Sequence, residues 1–100
     1  MRLDLSGRVV LVTGAASGIG AAVARLAAAA GATLALTDRD GARLRALAEE
    51  IGAAAALEAD LSRPEAPAEV ARGAVARCGR IDGLVNAAGL TTRGGVTDAT

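Results

Sequence analysis

The residues best equipped for chemistry in this chain form one glycine-rich segment, Thr13-Gly14-Ala15-Ala16-Ser17-Gly18-Ile19-Gly20, followed at intervals by Asp38, Asp60 and Asn86. Glycines at 14, 18 and 20 let a backbone turn sharply and come close to a ligand without a Cβ in the way. Where such a turn opens a helix, free N–H groups and the partial positive charge of the helix start attract a pyrophosphate. Ser17 adds a hydroxyl donor. The spacing differs from G-x-G-x-x-G, and no G-K-[ST] is present, which disfavours an ATP-hydrolysing P-loop. Taken alone, three glycines fit an ordinary strand-to-helix turn equally well.

Asp38 lies 18 residues beyond Gly20, at the end of the next strand-like segment. A carboxylate there can accept hydrogen bonds from the ribose hydroxyls of adenosine, and its charge repels a 2′-phosphate. That favours NAD over NADP. The competing reading is a turn aspartate, common at strand ends. Arg39 pulls the other way, because a guanidinium can pair with a 2′-phosphate or simply be solvated. Asp60 could bond an adenine amino group, and it fits a turn residue ahead of Ser62 at least as well. Asn86 carries an amide able to tie neighbouring strands. Ala87, Ala88 and Gly89 are small enough for a flat ligand to lie against the backbone, and equally fit a small-residue turn.

Strands and helices must alternate to position these residues. Residues 8–13 are β-branched and continuously apolar, as expected of a strand buried on both faces. A helix is expected over about 18–30, with Ile19, Val23 and Leu26 as its apolar stripe and Gly31 at its end. Residues 33–37 read as a second strand. Asp40 caps a second helix whose stripe is Leu44, Leu47 and Ile51 and whose end is Gly52, its Arg and Glu residues forming a solvated face. Residues 53–57 make a weak third strand, supported only by the alternation, since alanine favours helix. Ser62-Arg63-Pro64-Glu65 has capping-box spacing. The third helix therefore starts there or, given the backbone donor that Pro67 lacks, at Pro67. It runs to about Cys78, which continues an apolar stripe and reads as core. Residues 81–85 form a fourth strand. Residues 90–100 read as a loop in which another helix could begin at Thr97 or Asp98. A βαβαβαβ string implies a parallel sheet with right-handed crossovers and helices on both faces. The expected order is 3-2-1-4, half of a doubly wound Rossmann-type α/β fold, with the ligand crevice between strands 1 and 4.

Composition narrows the function classes. The 100 residues contain no Phe, Tyr or Trp, so the core must be a thin one of Val, Leu and Ile among many alanines. Eleven acidic and eleven basic residues balance, all of the basic ones are Arg, and they are scattered. A nucleic-acid surface needs a clustered basic face. With no His and only Cys78, a zinc site is not expected. The first residues lack the apolar stretch of a secretory leader. The longest apolar run, 26–36, is far short of the ~20 residues of a membrane span. A soluble cytoplasmic protein without nucleic-acid or membrane partners is expected, and one free thiol suits a reducing compartment.

Together these residues resemble the short-chain dehydrogenase/reductase family. The resemblance rests on Thr13-Gly14-x-x-x-Gly18-Ile19-Gly20, Asp38, Asp60-Leu61, the stretch Gly79-Arg80-Ile81-Asp82-Gly83-Leu84-Val85, and Asn86-Ala87-Ala88-Gly89. It covers residues 5–89 in order. It implies a Rossmann fold, a nicotinamide cofactor and hydride transfer with an alcohol or carbonyl substrate. It further implies that Gly14, Ser17, Gly18, Ile19 and Gly20 serve the pyrophosphate, Asp38 the ribose, and Asp60 with Leu61 the adenine. Asn86, Ala87, Ala88 and Gly89 would line the adenosine. Ala87 departs from the family pattern, where many members have a second Asn.

The larger departure is that family members run more than twice as long. Their chemistry uses a Tyr, a Lys, a Ser and a later Asn, at positions that have no counterpart here. Three readings stay open: the cofactor-binding N-terminal portion of an oxidoreductase that forms an oligomer at full length, a non-catalytic NAD- or adenosine-binding module, and a non-functional truncated fragment. Without the later strands of the family, strand 4 would be an exposed apolar edge prone to association.

Overall fold

The computed structural model describes residues 3–90. Its elements are β1 (Val9–Thr13), α1 (Gly18–Ala29), β2 (Thr33–Asp38), α2 (Gly41–Ile51), β3 (Ala55–Glu58), α3 (Ala66–Cys78) and β4 (Gly83–Asn86), followed by a 3₁₀ turn over Ala87–Leu90. All four strands are parallel, in the order β3-β2-β1-β4 expected from the sequence. β1 is central because it can afford to be: all five of its residues are buried. Its register sets Val12 beside Leu36 on one side and Val85 on the other.

Alternation along β1 and β2 divides the apolar side chains between two layers. Val10, Val12, Leu34 and Leu36 meet α1 and α2, where Ala24, Ala27, Leu44 and Leu47 close the larger core. Leu11 and Ala35 face α3 and pack with Ala55, Val70 and Ala74. Cys78 is half-buried against this second core, as its place in the helix stripe suggests. No aromatic ring is available, and α1 approaches the sheet through glycine and alanine alone.

That close approach overturns the expected face of α1. Ile19 and Leu26 are 49% and 69% exposed, and the helix turns Gly20, Ala24 and Ala27 to the sheet. A Cβ on Gly20 would run into the Gly14 carbonyl. Only the small face fits against the loop that precedes the helix, so the large apolar residues are left outside.

Smaller differences are local. β3 and β4 begin two residues later than expected, and Gly31, at φ +97°, follows a helix that ends one residue early. The capping box does not form. Ser62 donates instead to Asp60, and α3 begins at Ala66 with Pro67 in its first turn, where a missing N–H costs nothing. On α2 the Asp40 side chain accepts from Arg43 N–H, and Gly52 ends the helix at φ +68°. Its charged residues are exposed, Arg45 pairing with Glu58 and Glu50 with Arg25 of α1. The expected helix start at Thr97 or Asp98 lies outside the described residues.

Candidate functional site

The C-terminal ends of β1, β2 and β3 each release a loop, and the three loops enclose a cleft of about 430 Å³. Such a volume falls within the range of small-molecule sites. Its wall consists of Gly14, Ala16, Ser17, Asp38, Arg39, Asp40, Arg43, Ala59, Asp60, Leu61, Ser62 and Ala88. Seven residues singled out from the sequence thus meet there: Gly14, Ser17, Asp38, Arg39, Asp60, Leu61 and Ala88.

The glycine loop is a closed, self-bonded turn. Ser17 caps α1, its hydroxyl accepting from Gly20 N–H at 3.0 Å and donating to the Gly14 carbonyl at 2.7 Å. The Ser17 proton is therefore committed inside the loop, and the donors left for an anion are backbone groups. Among the described residues, neither Gly18 N–H nor Ile19 N–H has a hydrogen-bond partner. A Cβ on Gly18 would meet nothing within 4 Å, so the helix start is open from outside. Gly14 is constrained twice. Its φ is +65°, and a Cβ there would lie 2.5 Å from Ala88 N.

Asp38 binds the loop to the sheet. Its Oδ2 accepts from Ala16 N–H at 2.9 Å and its Oδ1 from Asp40 N–H at 2.9 Å. Each oxygen keeps lone-pair capacity for a further donor. Ala15 N–H reaches the Thr37 carbonyl at 3.1 Å, and the buried Thr37 hydroxyl donates to the Leu57 carbonyl at 2.5 Å. The mouths of β1, β2 and β3 are thereby held in one arrangement.

Asp60 does what a turn aspartate does and also faces the cleft. It accepts from the Ser62 hydroxyl at 2.7 Å and from Ser62 N–H at 3.0 Å. These bonds, the hydroxyl's first, hold its carboxyl below the ordinary 3.8, with smaller help from the charges of Arg39 and Arg63. The cleft carries mixed charge, with Arg39 and Arg43 beside Asp38, Asp40 and Asp60.

The remaining anticipated residues have these places in the fold. Gly20 packs under the loop, and Ile19 is half-exposed on the helix. Asn86 ties strands, as its amide allows: its Oδ1 accepts from the Thr13 hydroxyl at 2.8 Å, across β4 and β1. Ala87 is buried, and Gly89 lies in the 3₁₀ turn. Gly18, Ile19, Gly20, Asn86 and Ala87 are not part of the described lining of the cleft. The wall residues that sequence reasoning did not assign to the site are Ala16, Asp40, Arg43, Ala59 and Ser62. Asp40 and Ser62 carried a signal only as helix caps, and Arg43 only as part of the solvated face of the second helix.

A family model described as short chain dehydrogenase matches residues 8–100. The chain belongs to the short-chain dehydrogenase family. It is 43% identical over 93 residues to 11-beta-hydroxysteroid dehydrogenase 1A of Arabidopsis thaliana, covering 88% of this chain and 27% of that protein. Its fold superposes with a TM-score of 0.77 on 3-ketoacyl-(acyl-carrier-protein) reductase from Brucella melitensis, solved with NADH, at 39% identity over 81% of this chain and 34% of that one. A short-chain dehydrogenase/reductase from Burkholderia phymatum, solved with NAD, gives 0.76 at 29% identity, over 82% and 31%. The chain thus spans about a third of the length of these relatives. It corresponds to the N-terminal portion of a short-chain dehydrogenase with a Rossmann-type sheet.

Proposed function

We propose that this chain is the dinucleotide-binding portion, an incomplete Rossmann domain, of an oxidoreductase that moves a hydride between a nicotinamide cofactor and an alcohol or carbonyl. The observation that carries the reading is an open helix start with two unpaired N–H groups, at Gly18 and Ile19, directly following Ser17 of the cleft wall that also holds the carboxylate at the end of β2. That donor set fits a dinucleotide, with anion-binding N–H groups at one end and a hydroxyl acceptor at the other. The neighbours solved with NADH or NAD support it.

In this reading Gly18 and Ile19 bind the pyrophosphate through their N–H groups, while Gly14, Ser17 and Gly20 hold the loop in shape. Asp38 accepts from the adenosine ribose and favours NAD over NADP. Asp60 and Leu61 border the adenine, and Ala88 lets it approach. Asn86, Ala87 and Gly89 support the floor from β4. The nicotinamide supplies the hydride chemistry when bound. With neither Tyr nor Lys in its 100 residues, the chain binds cofactor and does not turn over substrate by itself. A cytoplasmic location is consistent with the free Cys78, and no helix among the described residues is long and apolar enough to cross a membrane.

The test has two arms. Thermal melts of the 100-residue chain should shift upward with NAD and with ADP-ribose. A longer natural product with a Tyr-x-x-x-Lys segment should oxidise NADH with a carbonyl acceptor. A melt unmoved at millimolar NAD would overturn the binding assignment. A longer product that binds NAD without hydride transfer would favour a pure binding module.

A further inference from the structure

Asp60 presents its two carboxylate oxygens unequally. Both bonds from Ser62 end on the same one: the hydroxyl donates to Oδ1 at 2.7 Å and the N–H donates to Oδ1 at 3.0 Å. Oδ2 has no hydrogen-bond partner among the described residues. The turn is also closed by backbone, Arg63 N–H donating to the Asp60 carbonyl at 3.1 Å. Asp60, Leu61 and Ser62 all line the cleft. The Asp60 side chain is exposed, and the charges of Arg39 and Arg63 both act on it. Left to itself, an exposed carboxylate between two guanidiniums would exchange among rotamers that favour one or the other. The charge-assisted bond from the Ser62 hydroxyl competes with those pairings.

We infer, resting on the dinucleotide reading above, that Ser62 is a positioning residue for base recognition: its hydroxyl holds Oδ1 of Asp60, leaves Oδ2 as a single acceptor in the cleft, and so makes the site select a 6-aminopurine over a 6-oxopurine. An exocyclic amine donates hydrogen bonds, whereas a 6-oxo group only accepts them. An ionised carboxylate is acceptor-only. Held in one rotamer, it bonds the amine and repels the oxo group. The neighbouring wall offers no competing side-chain reader. Ala59 and Ala88 have no polar side-chain atom, and Leu61 is half-buried against the core on the α3 face. The Ser62 hydroxyl proton is itself committed to Asp60. Selectivity for the amine therefore depends on where Oδ2 is held, and a carboxylate free to swing towards Arg39 or Arg63 would lose it.

Calorimetric titration of the 100-residue chain with NAD and with nicotinamide hypoxanthine dinucleotide, which carries oxygen in place of the adenine amine, tests this. The parent should prefer NAD by about tenfold or more. Ser62→Ala should cut that preference to about twofold, mainly by weakening NAD, and should leave the ratio of NAD to NADP affinity, set at Asp38, unmoved. Ser62→Thr keeps the hydroxyl and should retain the parent's preference. A merely structural Ser62 would instead lower both affinities together and leave the base preference intact. Ser62→Gly supplies a second hydroxyl-free chain if circular dichroism shows that Ser62→Ala does not fold. A parent that binds the two dinucleotides equally, or a folded hydroxyl-free variant that keeps the preference, would overturn the role of Ser62 while leaving the dinucleotide site in place. A parent that binds neither would overturn both.

Discussion

Replacing Asp38 by alanine removes one carboxylate with two jobs, and the two losses are separable. In the free protein the carboxylate accepts from Ala16 N–H and Asp40 N–H, both at 2.9 Å. The first bond is part-buried and the second exposed, so together they contribute about 2 kcal/mol, mostly the cost of leaving the Ala16 donor unpaired. For a domain of this size that corresponds to a fall in Tm of roughly 10 °C. In the complex the ribose loses a charged acceptor, which should weaken NAD by about 10- to 100-fold. NADP loses no such bond and is freed from repulsion. The preference for NAD over NADP should therefore collapse by at least about tenfold. Urea melts give the stability change, and calorimetric titrations with NAD and NADP below the variant's melting range give the two affinities. A variant that binds NAD more weakly and keeps the parent's ratio of NAD to NADP affinity would show that the carboxylate only braces the loop.

Other outcomes follow from the same geometry. Gly14→Ala combines a positive φ with a Cβ 2.5 Å from Ala88 N; it should cost about 2 kcal/mol or more in urea melts and abolish a detectable NAD shift. Gly20→Ala, pressed on the Gly14 carbonyl, should cost a similar ~1–3 kcal/mol, whereas Gly18→Ala, facing open space, should leave stability within about 0.5 kcal/mol and still weaken NAD. At the other end of the sheet, Val9 N–H first and Arg80 second hold the Asp82 carboxyl below its ordinary 3.8. A depressed carboxylate contributes stability that is full above the unfolded value and is lost as pH falls through the folded one. Asp82→Asn should therefore be less stable than the parent at pH 6, and the two should converge only as pH falls through the depressed folded value of the Asp82 carboxyl. A constant gap between the two urea midpoints across that range would refute the assignment.

The topology was legible because β1 could be read without ambiguity: five β-branched or apolar residues between a polar start and a glycine loop can only be an interior strand. The caps at Asp40 and Gly52 were equally readable, since each follows from local chemistry. The face of α1 was not. Periodicity ranks residues by size, and here a close contact between Gly20 and the Gly14 carbonyl reversed the order, a three-dimensional constraint that no spacing shows. The Ser62 box failed because the helix starts later, at Ala66 after Glu65, which leaves Ser62 outside it and its hydroxyl bonded to Asp60 two residues back. In the cleft, Asp38 and the glycines stood out by type and position. Ala16, Asp40 and Arg43 did not, because they enter through backbone path or helix rise.

The central assignment, a dinucleotide in the cleft at the C-terminal ends of the strands, is tested most directly by amide NMR of the chain titrated with NAD. The shifts should concentrate on Gly14, Ala16, Gly18, Ile19, Arg39, Asp60, Leu61 and Ala88, while Gly31, Gly52 and Gly79 at the far end stay fixed. Saturable shifts confined to that far end, or none at millimolar NAD, would contradict it.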